Sequence, residues 1–194
     1  STFHHTLPPA VRLFRYKEIN LNAGCPSGTV VSKNKGAGFL KDTEAMDRFF
    51  DETFNWLENK NSEGHNLSIS VKTRIGMYEP DEFENILEVY NRYPISQLIV
   101  HPRTREQLYK GTPNMEAFKY ALENSKSPVC YNGDINTVEN YHRIIEKIND
   151  DSKMKIGSIM IGRGLIGNPN LVNEIKGGKK LTKKMLEAYH DRLY

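Results

Sequence analysis

Cys25 sits in the stretch Asn22-Ala23-Gly24-Cys25-Pro26, where a short apolar run gives way to a polar loop. A thiol placed there has the exposure a proton donor needs, and hydride delivery to one carbon of a C=C bond requires a proton on the other. Cys130 lies inside an apolar run and reads as buried filler. Lys72 ends the run Ser68-Ile69-Ser70-Val71. A cation in that place would stabilise the negative charge that a ring cofactor such as a flavin gains on reduction. His101, at the end of another apolar run, offers a donor to a phosphate or a ring oxygen.

Two turns look built for phosphate. Asn132-Gly133-Asp134 and Gly162-Arg163-Gly164 put glycines where backbone N–H groups can approach a ligand closely, the second with an arginine beside them. Lys33 and Lys35 flank a glycine-rich stretch, and Arg103, Arg105, Tyr109 and Lys110 follow His101. Basic residues with an interleaved aromatic suit RNA phosphates and unstacked bases. Each of these has a plainer reading as well: a tolerated loop cysteine, a surface lysine, a histidine capping its own loop, ordinary tight turns and solvated loops.

Residues of this kind need elements to bring them together. Residues 1–15 show no clear periodicity, and Pro8-Pro9 breaks any helix there. From Glu18 onward short apolar runs alternate with helical patterns: strands at Glu18–Asn22, Leu67–Thr73, Gln97–Val100, Pro128–Tyr131 and Gly157–Ile161. Between them, Asp42 caps a helix through Trp56 that turns Met46, Phe49, Phe50, Phe54 and Leu57 inward. Further helices are expected over Asp81–Asn91, Met115–Asn124, Val138–Ile148 and Thr182–Arg192, and residues 27–41 read as a long loop.

Alternating strands and helices mean parallel βα units. All five strands end in polar or reactive residues, which converge on one mouth in a barrel, whereas an open doubly wound sheet concentrates its site at one switch point. No GxGxxG follows the first strand. The expected fold class is therefore α/β, a TIM barrel (β/α)8 with about five of its eight strands present. Five units alone would leave sheet edges open and the core uncovered.

The bulk composition bounds the rest. The 194 residues carry 27 basic and 24 acidic side chains, a net charge of +3 that says little about nucleic acid by itself. Lys176, Lys179, Lys180, Lys183 and Lys184 form a denser basic stretch, either a solvated face or a polyanion contact. No apolar run is long enough for a membrane span, no CxxC pair points to zinc, and two cysteines make no disulfide framework. No metal, membrane or protein partner is implied, and a reducing cytoplasm is the default location.

The ordered strand-end motifs resemble the tRNA-dihydrouridine synthase family. The matching stretches are Ile19–Pro26, Gly36–Leu40, Val71–Gly76, His101–Tyr109, Asn132–Ile135 and Ile161–Pro169. The resemblance implies a bacterial FMN-containing TIM barrel followed by a small helical domain, with NADPH as reductant and folded tRNA as substrate. On that basis residues 1–175 form a partial catalytic barrel, and 176–194 are a linker and the start of the helical tRNA-binding domain. The family's catalytic cysteine falls on Cys25, which would protonate C5 of uracil while reduced FMN delivers hydride to C6. Asn22 and Arg103 fall near the substrate. Lys72, His101, Asn132, Gly133, Asp134, Gly162 and Arg163 fall on the cofactor-binding positions, and Lys33, Lys35, Arg105 and Tyr109 are candidates for contacting RNA.

The chain departs from the family pattern in places. The family's Ala-Pro-Met start and a later glutamine, which cover the flavin ring, have no match in residues 1–18, so the first strand here corresponds to barrel strand four. Residues omitted inside the N-terminal segment would make Phe14-Arg15-Tyr16 a join between two parts not adjacent in the gene. Pro102 follows His101 where glycine is more usual. An isolated 194-residue polypeptide is expected to be inert, because the flavin ring would lie uncovered. Two other readings share much of the pattern: an FMN-dependent barrel oxidoreductase acting on a free pyrimidine, and a non-catalytic RNA-binding homologue.

Overall fold

A computed structural model describes residues 16–149 and 156–192. The aperiodic, proline-broken start read for residues 1–15 lies outside the described residues, as do positions 14 and 15 of the Phe14-Arg15-Tyr16 junction. Five strands form one sheet: β1 (Glu18–Ala23), β2 (Ser68–Arg74), β3 (Leu98–His101), β4 (Val129–Asn132) and β5 (Ser158–Met160). Each pairs in parallel with the next in sequence, in the order β1-β2-β3-β4-β5. The expected strands are all present, most of them shifted one residue toward the C-terminus.

The helices are α1 (Gly28–Val31), α2 (Thr43–Ser62), α3 (Glu82–Tyr90), α4 (Met115–Asn124), α5 (Val138–Asn149), α6 (Arg163–Gly167), α7 (Leu171–Ile175) and α8 (Lys183–His190). A 3-10 helix covers Gly36–Lys41. Asp42 caps α2 as its sequence position requires, its carboxylate accepting the Ala45 N–H at 2.9 Å. Asn114 does the same for α4 through Ala117 at 3.0 Å. α2 runs on past Trp56 to Ser62, because no proline or glycine intervenes before Gly64. The stretch 27–41 is not a long loop: α1 and the 3-10 helix occupy most of it.

The strand residues divide by parity. Ile69 and Val71, Leu98 and Val100, and Val129 and Tyr131 share one core with Phe50, Ile86, Phe118 and Ile144 of the helices. α2 packs on α3, α3 on α4 and α4 on α5, so the helices follow one another across a single face of the sheet. The alternate positions make a polar second face. There Asn20 donates to the Ser70 hydroxyl at 2.8 Å, and Gln97 donates to that of Ser158 at 2.9 Å. Ile99 and Cys130 are buried on this face, outside the helix-packed core.

Sequential strand order with helices on one face is the arrangement of a (β/α) barrel segment. A doubly wound sheet would reverse its strand order and cover both faces. β1 and β5 do not pair with each other among the described residues.

α8 buries none of its residues and exposes Met185, Leu186 and Tyr189. The chain up to Leu181 is nevertheless tied back, since the Glu174 carboxylate accepts from the Asn168 side chain at 3.0 Å and from the Leu181 N–H at 2.7 Å. Among the described residues no helix is long and apolar enough to cross a membrane, and no three His, Cys, Asp or Glu side chains cluster as metal ligands.

Candidate active site

Because the strands are parallel, their carboxyl ends share one rim, and a cleft of about 350 Å³ opens there. All five strands contribute: Cys25 after β1, Lys72 in β2, His101 ending β3, Asn132 ending β4 and Arg163 after β5. The register sets Asn22 directly beside Lys72, and Arg74 beside His101. Asn22, Gly133, Asp134, Gly162 and Tyr109 also line the cleft. Lys33 and Lys35 are exposed and Arg105 is half-buried beside Glu106, and none of the three lines it.

Cys25 is half-buried, and its loop is pinned rather than free. The Asn22 side chain accepts the Gly24 N–H at 3.0 Å, and the Cys25 carbonyl accepts the Ala37 N–H at 2.9 Å. Gly36, at φ +54°, packs so tightly that an added Cβ would lie 2.7 Å from the Cys25 carbonyl oxygen. Gly36→Ala is therefore expected to destabilise the protein by about 2 kcal/mol, through left-handed strain and displacement of the Cys25 loop. Equilibrium urea unfolding measures the loss.

Lys72 has no hydrogen-bond or ion-pair partner among the described residues. Burial lowers its pKa, and the neighbouring Arg74 charge lowers it further, while Cys130 and Cys25 lie near enough for a thiolate at either to oppose this. Arg74 is buried, and its guanidinium donates to the carbonyls of Gly24 (3.0 Å), Thr104 (2.8 Å) and Leu108 (2.8 Å). Burial lowers its pKa too. An anion bound between these cations would relieve both the desolvation and their mutual repulsion.

Arg103 is fully buried beneath the cleft and does not line it. It donates to both Asp134 carboxylate oxygens, to the carbonyls of Lys110 and Gly111, and to His101 Nε2 at 3.3 Å. The hydrogen bond from Arg103, first, and then the charges of Arg103 and Arg163 hold the Asp134 carboxyl below its ordinary range. Asp134 lines the cleft, but as the anchor of two arginines. Arg163 donates to its Oδ1 at 3.2 Å. The glycines of the last turn differ in use: an added Cβ at Gly164 would strike the Ile135 carbonyl, so this glycine seats β5's turn against β4's, whereas Gly162 is exposed at the rim.

Comparison with known proteins fits this geometry. The family model described as dihydrouridine synthase (Dus) matches residues 10–191. The chain belongs to the dihydrouridine synthase family. Similar relatives include a probable tRNA-dihydrouridine synthase of Rickettsia bellii, 30% identical over 182 residues, covering 90% of this chain and 51% of the relative. Another is a probable tRNA-dihydrouridine synthase of Staphylococcus aureus, 31% identical over 160 residues, covering 79% of this chain and 44% of the relative. The chain thus spans about half the length of the curated relatives it matches.

Within this family member, Arg74 also belongs to the site: the sequence places it at a strand end with Lys72 but assigns it no role. Its signal was parity: two positions beyond Lys72 on the same strand, it must face the same mouth. His101 is buried, and burial followed by the nearby charges of Arg74, Lys72 and Arg103 pushes its pKa from 6.5 down to about 3. The Arg103 guanidinium can only donate, so Nε2 accepts and the ring proton sits on Nδ1.

This yields a pH dependence with a definite sign. The folded imidazole stays neutral down to about pH 3, while the unfolded chain binds a proton below about 6.5. In that window the unfolded state binds more protons, so stability is intact above it and falls as the pH drops, by up to about 1.4 kcal/mol per unit. Urea unfolding of the intact protein at several pH values should show this slope, and His101→Gln should flatten it.

Proposed function

We propose that this chain carries most of the FMN-binding, uridine-reducing barrel of a tRNA-dihydrouridine synthase, with closure to eight strands supplied outside the described residues. The observation that carries the reading is the shared cleft, where a half-buried thiol faces the same space as an ammonium unpartnered among the described residues and an arginine held at the rim. The residues fit a flavin mononucleotide. Arg163, with the turns at Asn132-Gly133 and Gly162, would hold its phosphate, and Lys72 and His101 would face its ring. When bound, FMN would supply the hydride for C6 of uracil, replenished from NADPH.

The chain's own residues do the remainder. Cys25 holds a proton at Sγ and gives it to C5, and the thiolate left behind takes a proton from solvent. Asn22, fixed by its bond to the Gly24 N–H, holds the thiol's loop in place. Lys72 would stabilise negative charge on a reduced ring, because its ammonium is half-buried without a counter-ion among the described residues. His101 stays neutral and presents its Nδ1 proton as a donor.

Substrate choice tests the reading. The intact protein with FMN and NADPH should form dihydrouridine in unmodified tRNA while leaving free uridine, mixed in at equal concentration, unreduced. Reduction of the free nucleoside in preference to tRNA would assign the cleft to a small-molecule reductase. Binding of tRNA without any reduction would make the protein a non-catalytic RNA binder.

A further inference from the structure

At the mouth of the cleft the Arg163 guanidinium carbon lies 4.1 Å above the centre of the Tyr109 ring, and that of Arg74 lies 5.5 Å from the same centre. Building on the proposed function, we propose that Tyr109 is a positioning residue that sets the Arg163 guanidinium in place for the FMN phosphate before the cofactor arrives.

Three features of the loop argue for this. Tyr109 is itself 52% exposed, yet the backbone on both sides of it is clamped from below. Arg74 takes the Leu108 carbonyl at 2.8 Å, and Arg103 takes those of Lys110 and Gly111. Leu108 is held at φ +51°, a conformation that a branched side chain keeps only when its surroundings enforce it. Two buried arginines thus fix the placement of one solvent-facing ring.

The geometry also suits Arg163. Its five N–H donors lie in the guanidinium plane, so the face can stack on Tyr109 while the edge still donates. One donor is tied to Asp134 at 3.2 Å, and the others have no acceptor among the described residues. A half-exposed arginine otherwise samples many rotamers and must lose that freedom when it meets a ligand. Stacking and the Asp134 bond remove much of the freedom beforehand, with the remaining donors left for phosphate oxygens.

The test is titration of the flavin-free intact protein with FMN and, separately, with riboflavin, which has the same ring and no phosphate. Tyr109→Leu should weaken FMN binding about 5- to 20-fold and riboflavin binding less than about 2-fold, and Tyr109→Phe should stay within about 2-fold of wild type for both. In an Arg163→Gln background, Tyr109→Leu should cost no further FMN affinity, because the residue it positions is gone. Equal losses for FMN and riboflavin would overturn the proposal in favour of a ring contact or loop collapse. So would a full additional loss in the Arg163→Gln background. A folded wild-type protein that binds no FMN would overturn it together with the proposed function, and that result is seen before any variant is made.

Discussion

Cys25→Ala lowers dihydrouridine formation in tRNA by about 10²- to 10⁴-fold while the protein keeps its FMN, if the thiol is the proton donor. The substitution is clean for a structural reason. The Cys25 loop is held through its carbonyl and its Cβ, by the Ala37 N–H and the close approach of Gly36, and alanine keeps both. Only Sγ is lost, so a general fall in stability or cofactor content does not explain the effect. Single-turnover formation of dihydrouridine, followed by nucleoside mass spectrometry, measures it. A variant within a few-fold of wild type would remove Cys25 from the role of acid.

The second large effect is on stability. Arg103→Met should cost about 3 kcal/mol in urea unfolding, the lower end of the range for breaking a buried ion pair. All three guanidinium nitrogens are engaged, and the side chain is fully buried. Asp134 moderates the penalty, since 31% of its side chain still reaches solvent and the freed carboxylate can rehydrate there. Arg103→Lys should recover little, because one ammonium cannot replace a planar fork serving a carboxylate and two carbonyls. By contrast Lys33→Ala, on an exposed residue, should stay within about 0.5 kcal/mol. A loss below about 1 kcal/mol for Arg103→Met would mean that the 102–111 loop does not depend on this arginine.

Arg103 also shows where the sequence stopped being informative. Its place in a run of basic residues after a strand reads as a cation turned toward a substrate, but the structure puts it under the cleft and saturates it. Nothing in a linear pattern distinguishes a charge facing solvent from one whose partners are carbonyls seven and eight residues away. Asp134 is similar. It lies in the turn after β4 that lines the cleft, yet its carboxylate serves the arginines beside it.

The parts set by local periodicity were legible. Helix α4 has the expected bounds, and α2 has its expected cap and inward residues, because 3.6-residue patterns and N-cap chemistry are local. The strand ends were legible too, and so the rim of the cleft. The short helices α1, α6 and α7 and the 3-10 turn at Gly36–Lys41 were not, since four to six residues carry too little periodicity to register. The tight seating of Gly36 against Cys25, which makes a glycine-rich stretch into a rigid support, depends on a contact between residues far apart in pattern though near in sequence.

Reduction of uridine in tRNA by this cleft is measured most directly as the dihydrouridine content of unmodified tRNA from the protein's own source. The intact protein, loaded with FMN and supplied with NADPH, should raise that content from zero toward a fixed number of residues per tRNA. No dihydrouridine from folded, FMN-loaded protein would contradict the account.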